Sequence, residues 1–490
     1  MPPNWNGSTV FRAFIVAMKP GNINRRSEGD QRCASVPEEG RCVMSKSRKR
    51  KDTRVTVPFS AIPIRERPSI DEWAHPAIWT QRMLATLNEG KVRGGKWHAL
   101  IDKVYSELNL SSSATKVLSK KGAAGVDRQT VDHFEAQRRK ELERLHDLLC
   151  GDDYCPSAVR RTWIPKPGSN EKRPLGIPTV RDRVVQTALV NVIEPILDAT
   201  FHERSFGFRH GRSCHDALRI VEELLESGYV YVVDADLKGY FDTIPKDRLM
   251  DLVKQQISDS RVLKLIQSFL DQGIMEEMRT WVPEAGVPQG AVLSPVLSNV
   301  YLTPLDHMMA EKGFEMVRYA DDFVILCRSK FEAEAALEEI KAWVSDNGLT
   351  LHPTKTTIVD SREKSFSFLG YSFRGKLRFP RAKSHRKMMD RIVELTPRKS
   401  GESLEDTLLR INRVFQGWFN YFRHCTWTIF ESYDARTRKR LRRRLLKRNR
   451  VNRKRLSRTV RWPNAYFTDH GFRSLSEAHS RFVQSHVGNY

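Results

Sequence analysis

Two adjacent carboxylates, Asp321 and Asp322, lie between two apolar runs that predict the strands of a β-hairpin. An Asp-Asp pair in this position is often only a turn, because aspartate tolerates turn geometry and is well solvated. A third carboxylate, Asp236, ends the run Tyr229–Asp236, which predicts a buried strand. Carboxylates that converge at strand ends can hold two Mg²⁺ ions about 4 Å apart, as in-line phosphoryl displacement requires.

A basic segment upstream adds candidate phosphate ligands. Residues 161–178 predict two short strands joined by a glycine-containing turn, which would bring Lys166 and Arg173 close together. Arginine offers a bidentate fork and lysine a point charge, so the two could grip a triphosphate. Basic hairpins are common, and a plain surface hairpin is the alternative.

Further candidates follow in chain order. Phe241 comes five residues after Asp236, and a core aromatic is its alternative interpretation. Gly286 and Gly290 flank a Pro-Gln pair that includes Gln289, which predicts close approach of the backbone to a substrate. Lys355 could act as a general acid or form only a surface salt bridge.

Composition points to an acidic partner. The chain has 490 residues and a net charge of +24, enough length for about two to four domains. Nucleic acid is favoured over membrane, because no segment approaches about 18 uninterrupted apolar residues. The seven cysteines are scattered and odd in number, which favours reduced thiols. We recognise neither a signal peptide nor a transit peptide.

Patterning predicts five stretches. Residues 1–70 predict a basic, disordered extension or a misassigned start upstream of Met44, with RNA contact by the tail as the alternative. Residues 71–150 are helical, 151–378 mix strands and helices in an α+β core, and 379–445 are helical again. A short basic tail occupies residues 446–490.

The C-terminal charge run predicts a nucleic-acid-binding surface. Between Arg436 and Arg458, 14 of 23 residues are Lys or Arg. So many like charges on one helix call for a polyanion, and a solvated charged face is the alternative. The residues chosen as its core are Arg442, Arg443, Arg444, Lys447 and Arg448.

The order of these motifs resembles that of reverse transcriptases encoded by group II introns. The resemblance rests on the basic hairpin, Asp236-Leu-Lys-Gly-Tyr-Phe241, Gly286-Val-Pro-Gln-Gly290 and Tyr319-Ala-Asp-Asp322. His210 departs from it, because the family usually has proline there. The resemblance implies a right-hand polymerase, with fingers and palm followed by an α-helical thumb.

The resemblance also implies roles for single residues. Asp236, Asp321 and the backbone of Leu237 would bind two Mg²⁺ ions, with Asp322 as a supporting carboxylate. The residues implied to contact the nucleotide are Lys166, Arg173, Leu237, Phe241 and Gln289. Phe241 would exclude a ribose 2′-hydroxyl, and Lys355 would protonate the leaving pyrophosphate.

The C-terminal motifs narrow the type of reverse transcriptase that the chain resembles. Gly417-Trp-Phe-Asn-Tyr-Phe422 resembles the maturase (X) domain, and the ending resembles bacterial class C proteins, for which we expect no endonuclease domain. The resemblance implies an RNA-directed DNA polymerase that binds its intron RNA, assists splicing and copies the RNA during retrohoming. Its partners would be intron RNA, a DNA target and primer, and dNTPs in the bacterial cytosol or nucleoid, without a membrane. Monomer and dimer both stay open.

Two alternatives remain open. The chain could be a domesticated relative that works in DNA repair without an intron. It could also be a maturase that binds RNA for splicing only, although the intact carboxylates Asp236, Asp321 and Asp322 argue against this. The intron, its target site and the true start codon are not given by the sequence.

Overall fold

A computed structural model of the chain describes residues 57–61, 68–76, 78–90, 92, 95–165, 172–277, 279–448 and 458–487. The chain divides into two compact units. The first unit is residues 58–388, and the C-terminal unit is residues 389–490 together with the N-terminal part up to Val57. Lys166 and most of the predicted N-terminal extension lie outside the described residues.

The first unit opens with helices, as the periodicity predicts. They are α1 (Ile70–Trp73), α2 (Gln81–Glu89), α3 (Ile101–Tyr105), α4 (Glu107–Leu118), α5 (Val131–Ala136) and α6 (Arg138–Cys150). Their buried residues join the same hydrophobic core as the later strands and helices. The described residues of 71–150 therefore lie in the first compact unit.

The fingers hairpin forms as predicted. Strands β1 (Val159–Pro165) and β2 (Lys172–Ile177) pair antiparallel, with Ile164 opposite Arg173. Helices α7 (Val180–Asp198) and α8 (Cys214–Glu226) come next. Helix α7 is buried over most of its length, and the Thr179 side chain caps its first turn by accepting from the Asp182 N–H.

The palm centres on one four-stranded sheet. Its first strand is β3 (Tyr231–Asp236), after which come α9 (Tyr240–Thr243), α10 (Lys246–Gln256) and α11 (Ser260–Leu270). The short strands β4 (Ile274–Glu276) and β5 (Arg279–Trp281) extend the fingers sheet in the order β2-β1-β4-β5.

The remaining palm elements are α12 (Ser294–Glu311), β6 (Glu315–Tyr319), β7 (Asp322–Cys327), α13 (Lys330–Asp346) and β8 (Thr357–Asp360). The palm sheet has the order β6-β7-β3-β8, so β3 lies in its interior. A small antiparallel sheet follows, made of β9 (Phe366–Phe368), β10 (Tyr371–Arg374) and β11 (Leu377–Pro380). The α+β expectation is confirmed.

Residues just before α1 are more ordered than the sequence suggested. Phe59 is only 1% exposed, and its N–H donates to Glu222 Oε2 at 2.5 Å. Its ring packs edge-on against Tyr371, with 5.4 Å between ring centroids. Phe59 is thus packed in the first unit, because burying an aromatic ring is favourable even within a basic, polar segment.

Helix α14 (Ala382–Leu395) contains the division between the units, which falls after Met388. The C-terminal unit continues with α15 (Leu404–Phe422), α16 (Trp427–Arg448), α17 (Arg458–Arg461), α18 (Asn464–Asp469) and α19 (Leu475–Val487). Among the described residues no helix is long and apolar enough to cross a membrane.

The described residues near the C-terminus contact the preceding helices of the C-terminal unit. Helix α16 runs through position 446 to Arg448. Its buried Asp434 accepts hydrogen bonds from the backbone N–H groups of Leu475 and Ser476, at 3.0 Å each. Asp434 caps the first turn of α19 in this way and so ties α16 to α19 within the C-terminal unit. The expected boundary at 445/446 stays a prediction.

Candidate active site

The palm sheet brings the three predicted carboxylates together. Strand β3 lies antiparallel to β7 with Asp236 directly opposite Asp322. Asp321 lies one residue earlier, in the two-residue turn that joins β6 and β7, where Tyr319 pairs with Asp322. The side chains at one end of the sheet therefore form an acidic cluster, which also includes Asp234 on the same face of β3.

Burial and mutual repulsion raise the pKa values of three carboxyl groups in this cluster. Burial, reinforced by the charges of Asp234, Asp321 and Asp236, raises the pKa of Asp322 to about 7. Burial and the charge of Asp236 raise the pKa of Asp234 to about 6. Burial also raises the pKa of Asp321, while a backbone hydrogen bond and the Arg173 and Arg318 charges act in the opposite direction. The carboxylates repel one another, and a bound cation would relieve that repulsion.

The donor set fits a hard divalent cation, because carboxylate and carbonyl oxygens are the ligands that Mg²⁺ prefers. As the described side chains stand, no three His, Cys, Asp or Glu residues are spaced to hold a metal ion. Asp236 instead forms an ion pair with Lys355 Nζ. Lys355 therefore lies beside one of the carboxylates expected to bind metal. A metal ion bound to Asp236 would compete with Lys355 for that carboxylate.

Of the five residues expected to contact the nucleotide, four lie within the described part of the chain. The charge of Arg173 acts on Asp321, so the fingers hairpin is within electrostatic range of the β6–β7 turn. Half-buried Phe241 packs edge-on against Tyr240, with 5.5 Å between centroids. Leu237 is buried, directly after Asp236. Gln289 Nε2 donates to the carboxylate of Asp242 at 3.0 Å, a partner that the sequence did not indicate.

Gly286 and Gly290 are required by close backbone approach. Both have positive φ, of 97° and 104°. A Cβ at Gly286 would lie 2.9 Å from the Asp242 carbonyl oxygen, and one at Gly290 would lie 2.5 Å from the carbonyl oxygen of Gly176. These glycines therefore seat the segment around Gln289 against both α9 and β2.

Two of the five residues expected to bind nucleic acid are buried in the C-terminal unit. Arg442 and Arg444 are only 9% and 4% exposed. Arg442 Nε donates to the Trp462 carbonyl at 2.8 Å, and Arg444 Nη1 donates to Thr407 Oγ1 at 2.6 Å. Both guanidinium groups thus bond within the C-terminal unit, which makes them structural rather than surface cations. Of the five residues named for nucleic-acid binding, Arg443, Lys447 and Arg448 are exposed.

Residues that the sequence did not indicate as part of the site lie beneath the β6–β7 turn. Arg318 is 1% exposed and donates to Asp306, to Asn299 and to the carbonyl of Ala320. Gly207 packs directly against the same turn. The only sequence signal was a charged residue inside the apolar run Met316–Tyr319, where a strand interior normally excludes charge.

The raised pKa of Asp322 predicts a stability that depends on pH. The folded state holds this proton up to about pH 7, whereas the unfolded carboxyl releases it near pH 4, so stability falls as pH rises between these values. In EDTA at pH 8, Asp322→Asn should therefore raise the Tm by a few degrees. The gain should vanish by about pH 4.5.

Thermal unfolding at the two pH values measures this difference. Asp346→Asn, which alters an exposed carboxylate, serves as the control and should shift the Tm at neither pH. An Asp322→Asn variant that is equally or less stable than the wild type at pH 8 would show that the carboxyl carries no buried charge there.

The fold is that of a reverse transcriptase. Residues 164–373 match the family model described as reverse transcriptase (RNA-dependent DNA polymerase), and residues 385–462 match the group II intron, maturase-specific domain. Reverse transcriptases as a class use divalent metal ions. The chain is 35% identical over 304 residues to Protein YkfC of Escherichia coli (strain K12), covering 54% of this chain and 79% of that protein.

A second relative carries the intron in its name. The chain is 30% identical over 323 residues to the group II intron-encoded protein LtrA of Lactococcus lactis subsp. cremoris, covering 52% of this chain and 53% of that one. Among solved structures, a partial Cas6-RT-Cas1–Cas2 complex shares 23% identity with a TM-score of 0.34, covering 50% of this chain and 42% of that one. The chain belongs to the group II intron-encoded reverse transcriptases.

Proposed function

We propose that this protein is an RNA-directed DNA polymerase that binds a group II intron RNA, assists its splicing and copies it into DNA. The observation that carries the proposal is the pairing of Asp236 with Asp322 on the palm sheet, with Asp321 in the adjoining turn. Its substrates would be dNTPs, a primer and an intron RNA, in the cytosol or nucleoid of a bacterium. The chain spans about half the length of LtrA, and the activity is proposed for the residues present here.

Two Mg²⁺ ions bound here would align the primer hydroxyl with the α-phosphate and neutralise the charge that develops in the transition state. Asp236, Asp321 and the Leu237 backbone would hold them, with Asp322 in support. The chain itself orients the nucleotide. Arg173, together with Lys166, would bind the triphosphate, and Gln289 would lie along it while tied to Asp242.

Lys355 has a further role in this scheme. Its ammonium contacts Asp236, so it stands at the carboxylate where phosphoryl transfer would occur. Released from that ion pair, the ammonium could turn to the leaving pyrophosphate and give it a proton.

Phe241 is the residue proposed to select deoxyribose over ribose in the incoming nucleotide. The wild type should extend a DNA primer on an RNA template with dNTPs and reject rNTPs, because the ring blocks a 2′-hydroxyl. Phe241→Ala should raise the ratio of rNTP to dNTP incorporation by about 10-fold or more, as removing a steric clash of a few kcal/mol permits. Steady-state single-nucleotide incorporation measures the ratio.

Phe331→Ala is the matched control, because Phe331 is an 81% exposed aromatic on α13. It should leave the ratio unchanged. An unchanged ratio in Phe241→Ala as well would make Phe241 a packing residue, and failure of the wild type to extend the primer would refute the polymerase proposal itself.

RNA binding would use the exposed cations of α16. Arg443, Lys447 and Arg448 lie in the last turns of the helix, and no acidic residue occurs between Arg436 and Arg458. Phosphate contacts by such residues release counterions, so affinity falls as salt rises. The C-terminal unit, which carries the maturase-specific match, is therefore the part proposed to hold intron RNA.

Neutralising these three residues to glutamine should weaken intron RNA binding and lower the slope of log affinity against log salt by about two units. Filter binding between 50 and 300 mM KCl measures the slope. The control replaces Lys312, Lys330 and Lys341, three exposed lysines already paired with glutamates on α13. Equal slopes for all three proteins would make the α16 cations a solvated face.

A further inference from the structure

Arg318 is a buried cation directly behind the catalytic turn. Its Nε donates to Asp306 Oδ1 at 2.7 Å, and a second bond joins its Nη2 to the other oxygen of that carboxylate. Its Nη1 donates to Asn299 Oδ1 and to the carbonyl oxygen of Ala320, at 2.9 Å each. The guanidinium therefore links helix α12 to the residue that immediately precedes Asp321.

The turn that receives this bond is conformationally unusual. Ala320 has φ of 60°, the left-handed region that two-residue hairpin turns normally assign to glycine. An alanine persists there only when its surroundings hold the backbone in place. The bond from Arg318 fixes the carbonyl of Ala320, and the orientation of that peptide unit sets the direction in which Asp321 leaves the turn.

The partners of Arg318 continue the support on the other side of the turn. Asn299 Nδ2 donates to the Gly207 carbonyl at 2.8 Å, and Gly207 lies against the backbone of Tyr319 and Ala320. A backbone hydrogen bond also joins the Gly207 segment to β6, because the Phe206 N–H donates to the Arg318 carbonyl at 2.9 Å. Asn299 thus links the segment around Gly207 to the Arg318 guanidinium.

We propose that Arg318 is the positioning residue of the catalytic turn: its guanidinium holds the Ala320 carbonyl and so directs the Asp321 carboxylate toward the metal ions. The inference rests on the proposed polymerase function. Only an arginine can serve all the acceptors, since its planar fork bonds Asp306 with two nitrogens while leaving Nη1 for the turn. A lysine would keep the charge and lose this geometry.

The experiment compares Arg318→Lys and Arg318→Met with the wild type in primer extension, with turnover expressed per active site from the burst amplitude. Because a displacement of about 1 Å can cost about 100-fold, we expect kcat per active site to fall by about 30- to 100-fold in both variants. The KM for dNTP should stay within about threefold, and the Mg²⁺ concentration for half-maximal activity should rise at least about fivefold.

A second readout does not depend on polymerisation. Mn²⁺ binding followed by electron paramagnetic resonance should be weaker in both variants than in the wild type. Arg378→Met is the matched control, because Arg378 is likewise a buried arginine and forms its ion pair with Glu222. It should leave Mn²⁺ affinity and kcat per active site unchanged, even if it lowers the Tm.

Unchanged kcat per active site and unchanged Mn²⁺ affinity in folded Arg318→Lys would overturn the proposal, leaving Arg318 a purely structural residue. If both Arg318 variants fail to fold, Asn299→Ala decides, because it removes one neighbour of the guanidinium and keeps the Asp306 pair. We expect the same shifts there, at about 5- to 10-fold in kcat. A wild type that binds Mn²⁺ but does not extend primers would refute the polymerase function. The Mn²⁺ affinities of the Arg318 variants would then decide the positioning role alone.

Discussion

Asp236→Asn and Asp321→Asn are each expected to reduce primer extension by about three orders of magnitude while leaving intron RNA binding intact. The amide keeps the shape of the side chain and removes the negative charge proposed to hold the metal ions, so the transition state would lose its main electrostatic support. Single-turnover extension on an RNA template with saturating Mg²⁺ measures the rate, and filter binding measures RNA affinity.

Asp234→Asn is the internal control for that experiment. Asp234 lies on the same strand face two residues earlier and its carboxyl is electrostatically coupled to the cluster, yet it is not assigned as a ligand. Its variant should retain activity within about fivefold. Retention of more than a few per cent of wild-type extension by Asp236→Asn or Asp321→Asn would make the catalytic assignment wrong.

The carboxylate cluster could be predicted because its determinants are local. An alternating or apolar run that ends in aspartate predicts a strand end, and a second hairpin with Asp-Asp at its tip predicts another. One sheet is enough to bring such ends together, and the structure does so through the register of Asp236 opposite Asp322. The hairpin and β3 could therefore be predicted without knowing how distant parts of the chain pack.

The α16 arginines show where that reasoning fails. Arg442, Arg443 and Arg444 are consecutive and chemically identical, so the sequence gives no reason to separate them. Their environments differ because acceptors from distant positions, Trp462 and Thr407, meet only two of the three. Burial of a charged side chain is decided by the partner that pairs with it, and that partner is not readable from the helix.

His210 offers a second case. Its departure from the usual proline suggested only altered loop geometry. In the structure its ring stacks on Trp73, with centroids 4.5 Å apart and planes within 9°, and Nε2 lies 3.5 Å from Glu194. The loop is therefore held by contacts to α1 and α7 in place of proline rigidity, a compensation between segments far apart in the chain.

Gly207→Ala is expected to have the second-largest effect on polymerisation, with a loss of about 100-fold in kcat per active site. An added Cβ would lie 2.3 Å from the Ala320 backbone nitrogen and 2.9 Å from the Tyr319 carbonyl carbon. Backbone atoms cannot rotate away as a flexible side chain would, so the β6–β7 turn itself must shift. Asp321 would move with it, since it is the next residue in that turn.

The measurement is single-turnover primer extension, with the active fraction fixed by burst amplitude and the Tm recorded separately. Gly401→Ala is the matched control, because its added methyl would meet nothing within 4 Å and its backbone has no positive φ. It should leave the rate unchanged. If Gly207→Ala lowers the Tm but keeps the wild-type rate per active site, the turn tolerates displacement. The placement of Asp321 would then not be limiting, and the tight packing around Gly207 would serve the stability of the palm alone.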